Sequence, residues 1–154
     1  MARYWIGLAE RDSVQAAVSN GVCLFSGGKA SAVRKLAPGD WILYYSPHES
    51  TDGATLECFT AVGEVVDETP WTQNWTQLCA GGPFWTHGTR PKSTQTWVRK
   101  CAYDAVGEVS VRPLLSSLSF VSQPRHWGRT FRRGQMEIGA ADFFAIADRL
   151  RAAA

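Results

Sequence analysis

Between positions 125 and 133 the chain reads Arg125-His126-Trp127-Gly128-Arg129-Thr130-Phe131-Arg132-Arg133, four arginines interleaved with Trp127 and Phe131 and no acid among them. Arginine presents a planar fork of donors that grips a phosphate through two bonds at once. A flat aromatic face stacks on a nucleobase of any sequence. A basic run by itself reads as a solvated surface. The interleaved rings turn this one toward nucleic acid, with Arg125, Arg129, Arg132 and Arg133 on the backbone and the rings on a base. The chain is rich in such rings, with seven tryptophans. Trp5 reads as core. Trp71, Trp75 and Trp85 read either as a second pocket wall or as pins for a long loop.

Motifs for other chemistry are missing. There is no phosphate loop, no dinucleotide fingerprint, no H-E-x-x-H and no nucleophile elbow. Ser26-Gly27-Gly28-Lys29-Ala30 lacks the spacing and the Ser/Thr of a phosphate loop. His48, His87 and His126 are far apart, and none has a partner at ligand spacing. Cys23, Cys58, Cys79 and Cys101 contain no C-x-x-C, which argues against zinc and for reduced, buried thiols. No cofactor is expected. Glu137, Asp40 and Cys23 are only nominal candidates for an acid, base or nucleophile. The balance favours a binding module over an enzyme.

The chain of 154 residues is 45% hydrophobic and 19% charged, a globular composition and the length of one domain spanning 1–154. A net charge of +2 is too small to argue for nucleic acid, but the layout is uneven. Positions 36–88 hold seven acids and no Lys or Arg, whereas positions 90–133 hold nine bases and two acids. The longest apolar runs, 41–45 and 143–147, fall far short of the ~20 residues of a membrane helix. The first residues lack the basic and apolar regions of a signal peptide, and with reduced cysteines this gives a cytoplasmic expectation.

The elements that must position these side chains follow from periodicity. Tyr4 to Ala9 predicts a buried first strand. A helix opens near Arg11, with Asp12 or Ser13 as N-cap and Val14, Ala17 and Val18 on one face, and closes at Asn20-Gly21. Val22 to Phe25 predicts a short strand, and Ala30 to Leu36 a short helix. Trp41 to Ser46 predicts a strand ended by Ser46-Pro47, and Leu56 to Val66 a strand with a bulge at Gly63. Thr69 to Thr89 reads as a long ordered loop with a helical turn near Gln73. Ser93 to Tyr103 predicts a strand, Pro113 to Leu118 a short helix and Gly134 to Ile138 a closing strand. Ala141 to Arg151 predicts an amphipathic helix. Phe144, Ala147 and Leu150, or Phe143 and Ile146, face inward there, and Asp142, Asp148, Arg149 and Arg151 face outward. The expected class is α+β, a small barrel of about five to six mostly antiparallel strands flanked by helices.

An ordered set of blocks then carries a resemblance. The blocks are Tyr4-Trp5-Ile6-Gly7, Gly21-Val22-Cys23, Gly28-Lys29-Ala30, Pro38-Gly39-Asp40-Trp41, Tyr44-Tyr45-Ser46-Pro47, Phe59-Thr60-Ala61-Val62-Gly63, Leu118-Ser119-Phe120-Val121 and Trp127-Gly128-Arg129-Thr130-Phe131-Arg132. With Glu137-Ile138 before a final helix, the set resembles the EVE domain family, in its small stand-alone bacterial and archaeal branch. No block is specific alone, but their order and spacing are, over nearly the whole chain. The chain departs from more distant EVE domains at Gly-Gly-Lys, where they carry an Asn-rich turn, and at Tyr-Tyr-Ser-Pro, where they carry Tyr-His-Ser.

The resemblance implies a PUA-like β-barrel flanked by helices, with one pocket. YTH domains, which are similar, take methylated adenine in RNA, and EVE domains are implicated in modified cytosines in DNA. By block, Ser26, Gly27, Gly28 and Lys29 correspond to the pocket mouth and Tyr45 and Ser46 to an aromatic and a hydroxyl on the wall. Trp127 and Phe131 then supply aromatic surface, and Arg125, Arg129, Arg132 and Arg133 the backbone contacts. The implied function is a non-catalytic reader of a modified base. Modified cytosine in DNA comes first, and a modified RNA base is the variant. An RNA-modification or nucleotide-processing enzyme and a small-molecule-binding module remain the alternatives.

Overall fold

Tyr4–Leu8 alternates large apolar residues over five positions and forms β1, which pairs in parallel with β3 (Trp41–His48) and antiparallel with β7 (Gln135–Ile138). The computed structural model describes residues 2–25, 29–50, 53–66, 69–74, 95–121, 125, 127–131 and 134–154. Within them β3 pairs β4 (Thr55–Val65), β4 pairs β6 (Gln95–Ser110), and β6 pairs both β2 (Val22–Cys23) and β5 (Trp71–Asn74), all antiparallel. The result is a curled mixed sheet of seven strands, a half-barrel, with only β1 and β3 parallel. Among the described residues it is flanked by α1 (Arg11–Ser19), α2 (Ala30–Arg34) and α3 (Ala140–Ala153), with a further single turn at Trp127–Thr130. No helix among the described residues is long and apolar enough to cross a membrane.

Strand alternation divides the core into two layers. On one side Ile42 and Tyr44 of β3 join Trp5, Val14, Ala17 and Val33 beneath α1 and α2. On the other, Leu43 and Tyr45 join Phe59, Phe131, Phe143, Ile146 and Leu150 beneath α3. Adjacent tyrosines therefore have opposite environments. Tyr44 is fully buried, and its hydroxyl donates to the Leu24 carbonyl at 2.6 Å and accepts from the Leu24 amide at 2.9 Å. Tyr45 faces the α3 layer and lines a pocket with Leu8, Trp127 and Phe131.

The turn before β3 is held by a buried carboxylate. Asp40 is 1% exposed and accepts from the amides of Arg3 and Ala37 at 3.0 Å and from the Trp5 indole at 3.1 Å. Trp5 is core, as expected. Gly21 takes a left-handed φ of 63° and closes α1, also as expected.

Several boundaries differ from the sequence reading. Glu10, in extended conformation, is the N-cap of α1, so Asp12 and Ser13 lie inside the first turn. Asp12 there still complements the helix dipole. Pro47 does not end β3. A register shift between Ser46 and His48 lets a residue without an amide proton sit in the strand. The strand expected to stop at Tyr103 continues to Ser110, and Trp71–Asn74 is a strand paired with β6 where a loop with a helical turn near Gln73 was expected. In α3 the core face is Phe143, Ile146, Ala147 and Leu150, and Phe144 is 45% exposed. Asp142, expected outside, is 7% exposed, because its carboxylate accepts the amide and hydroxyl of Ser119 and ties the preceding segment to the helix.

Candidate functional site

Tyr45, Trp127 and Phe131 converge on one pocket of about 180 Å³, completed by Leu8, Pro47, Glu57 and Gly128. Each ring arrives for its own reason. Tyr45 alternates away from Tyr44 on β3. Trp127 and Phe131 stand four residues apart, Trp127 opening the single helical turn Trp127–Thr130, so they share a face. Tyr45 and Phe131 pack ring on ring, centroids 4.5 Å apart and 31° from parallel. Trp127 meets Tyr45 edge to face at 6.3 Å and 89°, and Phe131 at 6.0 Å and 73°. Phe59 and Phe120 back Phe131 from behind, at 6.0 and 5.8 Å. The walls thus form a corner, with the half-buried indole standing upright to a floor set by packing.

One wall is charged. Glu57 belongs to β4, and its φ of 55° is the only positive value of a non-glycine residue among the described ones. That region costs an L-residue roughly 1–2 kcal/mol. The register around it is irregular, because Ser46 pairs with Cys58 while His48 pairs with Thr55, leaving two residues of β4 opposite one. The Arg112 guanidinium donates to Glu57 Oε1 twice, at 2.8 and 3.1 Å, and also stands 5.5 Å from the centre of the Trp127 ring. Among the described residues nothing donates to Glu57 Oε2. Burial pushes the Tyr45 hydroxyl well above its ordinary value, and the Glu57 carboxylate adds to the shift. The hydroxyl therefore stays protonated, and among the described residues it has no hydrogen-bond partner.

Of the other expected site residues, the described side chains do not line this pocket. Ser46 is fully buried, bonded through its hydroxyl to Thr60 at 2.8 Å, and does not line this pocket. Lys29 is exposed at the N-cap of α2, and Arg125 is exposed beside the Trp127 turn. Arg129 lies in that turn, and its side chain is outside the described set. Ser26, Gly27, Gly28, Arg132 and Arg133 lie outside the described residues, as do Trp75 and Trp85. Glu57 and Arg112 were missed. An acid in an apolar strand is a visible anomaly in Thr55-Leu56-Glu57-Cys58-Phe59, but its pairing with Arg112 spans 55 positions and is not.

The nominal catalytic groups are not in this pocket. Asp40 is bonded to backbone and Trp5, Cys23 is fully buried, and Glu137 is exposed on β7. A hydrogen bond with Cys23 and burial both push the Cys101 thiol upward, away from thiolate chemistry. Among the described residues no three His, Cys, Asp or Glu are grouped to hold a metal.

A curled mixed sheet with flanking helices makes this an α+β half-barrel domain, and it carries the aromatic corner. The family model of the EVE domain matches residues 3–149, and this chain belongs to that family. A protein of Mycolicibacterium gilvum named UPF0310 is 35% identical over 143 residues, covering 92% of this chain and 91% of the relative. The fold is shared with the YTH domain of the Zygosaccharomyces rouxii MRB1 protein, solved in complex with N6-methyladenosine RNA. That match has a TM-score of 0.60 at 16% identity over 97% of this chain and 87% of the other. The Pho92 YTH domain, solved with m6A, gives 0.58 at 18% identity over 97% and 84%.

Proposed function

We propose that the chain is a single-domain, non-catalytic reader of a modified base in nucleic acid, with modified cytosine in DNA as the first ligand and a modified RNA base as the variant. The observation that carries the reading is the aromatic corner of Tyr45, Trp127 and Phe131 around a pocket of about 180 Å³. An apolar cavity of about 150 Å³ holds a benzene ring, so a substituted single ring fits this one. The YTH domains that share the fold were solved with methylated adenosine, which supports a base as the ligand class. A base in a duplex must be flipped out, at ~a few kcal/mol, and stacking on Trp127 offsets that. Arg125, Arg129, Arg132 and Arg133 hold phosphates around it.

The test separates the two roles. Trp127→Ala abolishes discrimination between a modified oligonucleotide and its unmodified twin. Arg125→Ala or Arg132→Ala weakens both alike and lowers the salt slope by about 1. Equal effects from the tryptophan and arginine variants contradict the division. Turnover of modified nucleosides by the purified protein would replace the reader with an enzyme.

A further inference from the structure

Glu57 adopts a backbone conformation that glutamate disfavours, and in doing so places a carboxylate on the pocket wall. Arg112 anchors one oxygen through two charge-assisted bonds and leaves the other turned to the pocket side of the pair. Nothing among the described residues donates to the other oxygen. Strained backbone of this kind gathers at ligand sites, where the surrounding structure holds it in place. The same pocket holds the protonated Tyr45 hydroxyl, also without a partner among the described residues. The wall therefore offers one open acceptor and one donor.

Resting on the modified-base reading above, we infer that Glu57 and Tyr45 select the base by its edge: Glu57 Oε2 accepts from an exocyclic amino group while the Tyr45 hydroxyl donates to the adjacent ring nitrogen. Cytosine presents that donor and acceptor at N4 and N3, and adenine at N6 and N1. Thymine and uracil present the reverse, an oxo group beside an N–H. A carbonyl set against Glu57 would leave two acceptors facing each other, an unpaired buried contact that the pocket rejects far more strongly than a missing methyl.

The comparison that tests this is 5-methylcytosine against thymine at one position of the same single-stranded oligonucleotide. The two bases share ring and methyl and differ at the amino-bearing edge. The wild-type protein should bind the 5-methylcytosine strand about ten-fold or more tightly than the thymine strand. Glu57→Gln, whose amide can donate as well as accept, should bring that ratio close to one. N6-methyladenine against 6-methoxypurine repeats the comparison for the purine source of the same edge, with an ether oxygen replacing the N–H. Equal binding of 5-methylcytosine and thymine, with both preferred over unmodified cytosine, overturns the inference and leaves the reader intact. A ratio that survives Glu57→Gln assigns the edge to another group and also overturns it. Absence of binding to every strand removes the reader and this inference together.

Discussion

Among the described residues Glu57 alone holds a left-handed backbone without being glycine. Its left-handed backbone costs roughly 1–2 kcal/mol, and its half-exposed pair with Arg112 returns about 0–1 kcal/mol. Glu57→Gly should therefore unfold at no lower temperature than the wild type, while recognition of the base is lost; calorimetry and a binding titration on one preparation check both. Asp40 is the opposite case. Asp40→Ala leaves the Trp5 indole and the Arg3 and Ala37 amides without their acceptor, and should destabilise by about 3 kcal/mol or more in chemical denaturation. Trp127 and Phe131 stand out in the sequence because rings interleaved with arginines show their chemistry in their type, Tyr45 stands out only through the block resemblance, and the fold brings the three to one pocket. The sequence left Glu57 and Arg112 hidden, because a carboxylate in a strand acquires meaning only from a bulge and a partner across the sheet.

At the scale of elements, α1 and β3 meet through Glu10 and His48. Glu10 is 3% exposed, and its Oε2 lies 3.6 Å from His48 Nδ1. Burial raises the carboxyl above its ordinary 4.5, and His48 only partly opposes the shift. The folded state thus holds a proton more tightly than the unfolded chain. Its contribution is full below about 4.5 and is lost as pH rises through the folded value. Unfolding measured across this window should show wild-type stability falling relative to Glu10→Gln as pH rises, and parallel curves would refute the assignment. Between β4 and β6 the constraint is space. A Cβ on Gly63 would lie 2.7 Å from Cys101 Sγ and 2.9 Å from Tyr103 Cδ1, so Gly63→Ala should cost about 1–3 kcal/mol. The irregularity that the sequence placed at Gly63 is found there, as a register shift between Val62 and Gly63. Glycine signals it directly. The bulge at Pro47 was misread as a strand end, since proline breaks a ladder or marks a bulge by the same missing amide.

For the whole molecule, the uneven charge of the sequence is redistributed by the fold. Acids of the segment between 36 and 88 meet bases from outside it: Asp40 with Arg3 at 3.7 Å, Glu49 with Arg11 at 3.5 Å and Glu57 with Arg112 at 2.8 Å. A linear count could show the imbalance but not which charges cancel, because the pairing follows strand order rather than sequence order. The family was legible from the eight blocks, since their order and spacing run over nearly the whole chain. The most direct measurement is tryptophan fluorescence during titration with short oligonucleotides carrying unmodified, cytosine-modified or adenine-modified bases, as DNA and as RNA, at two salt concentrations. A preference of about ten-fold or more for one modification, kept at both salts while overall affinity falls, is the predicted result. Binding that depends on salt and ignores every modification, or no binding at low salt, would contradict the account.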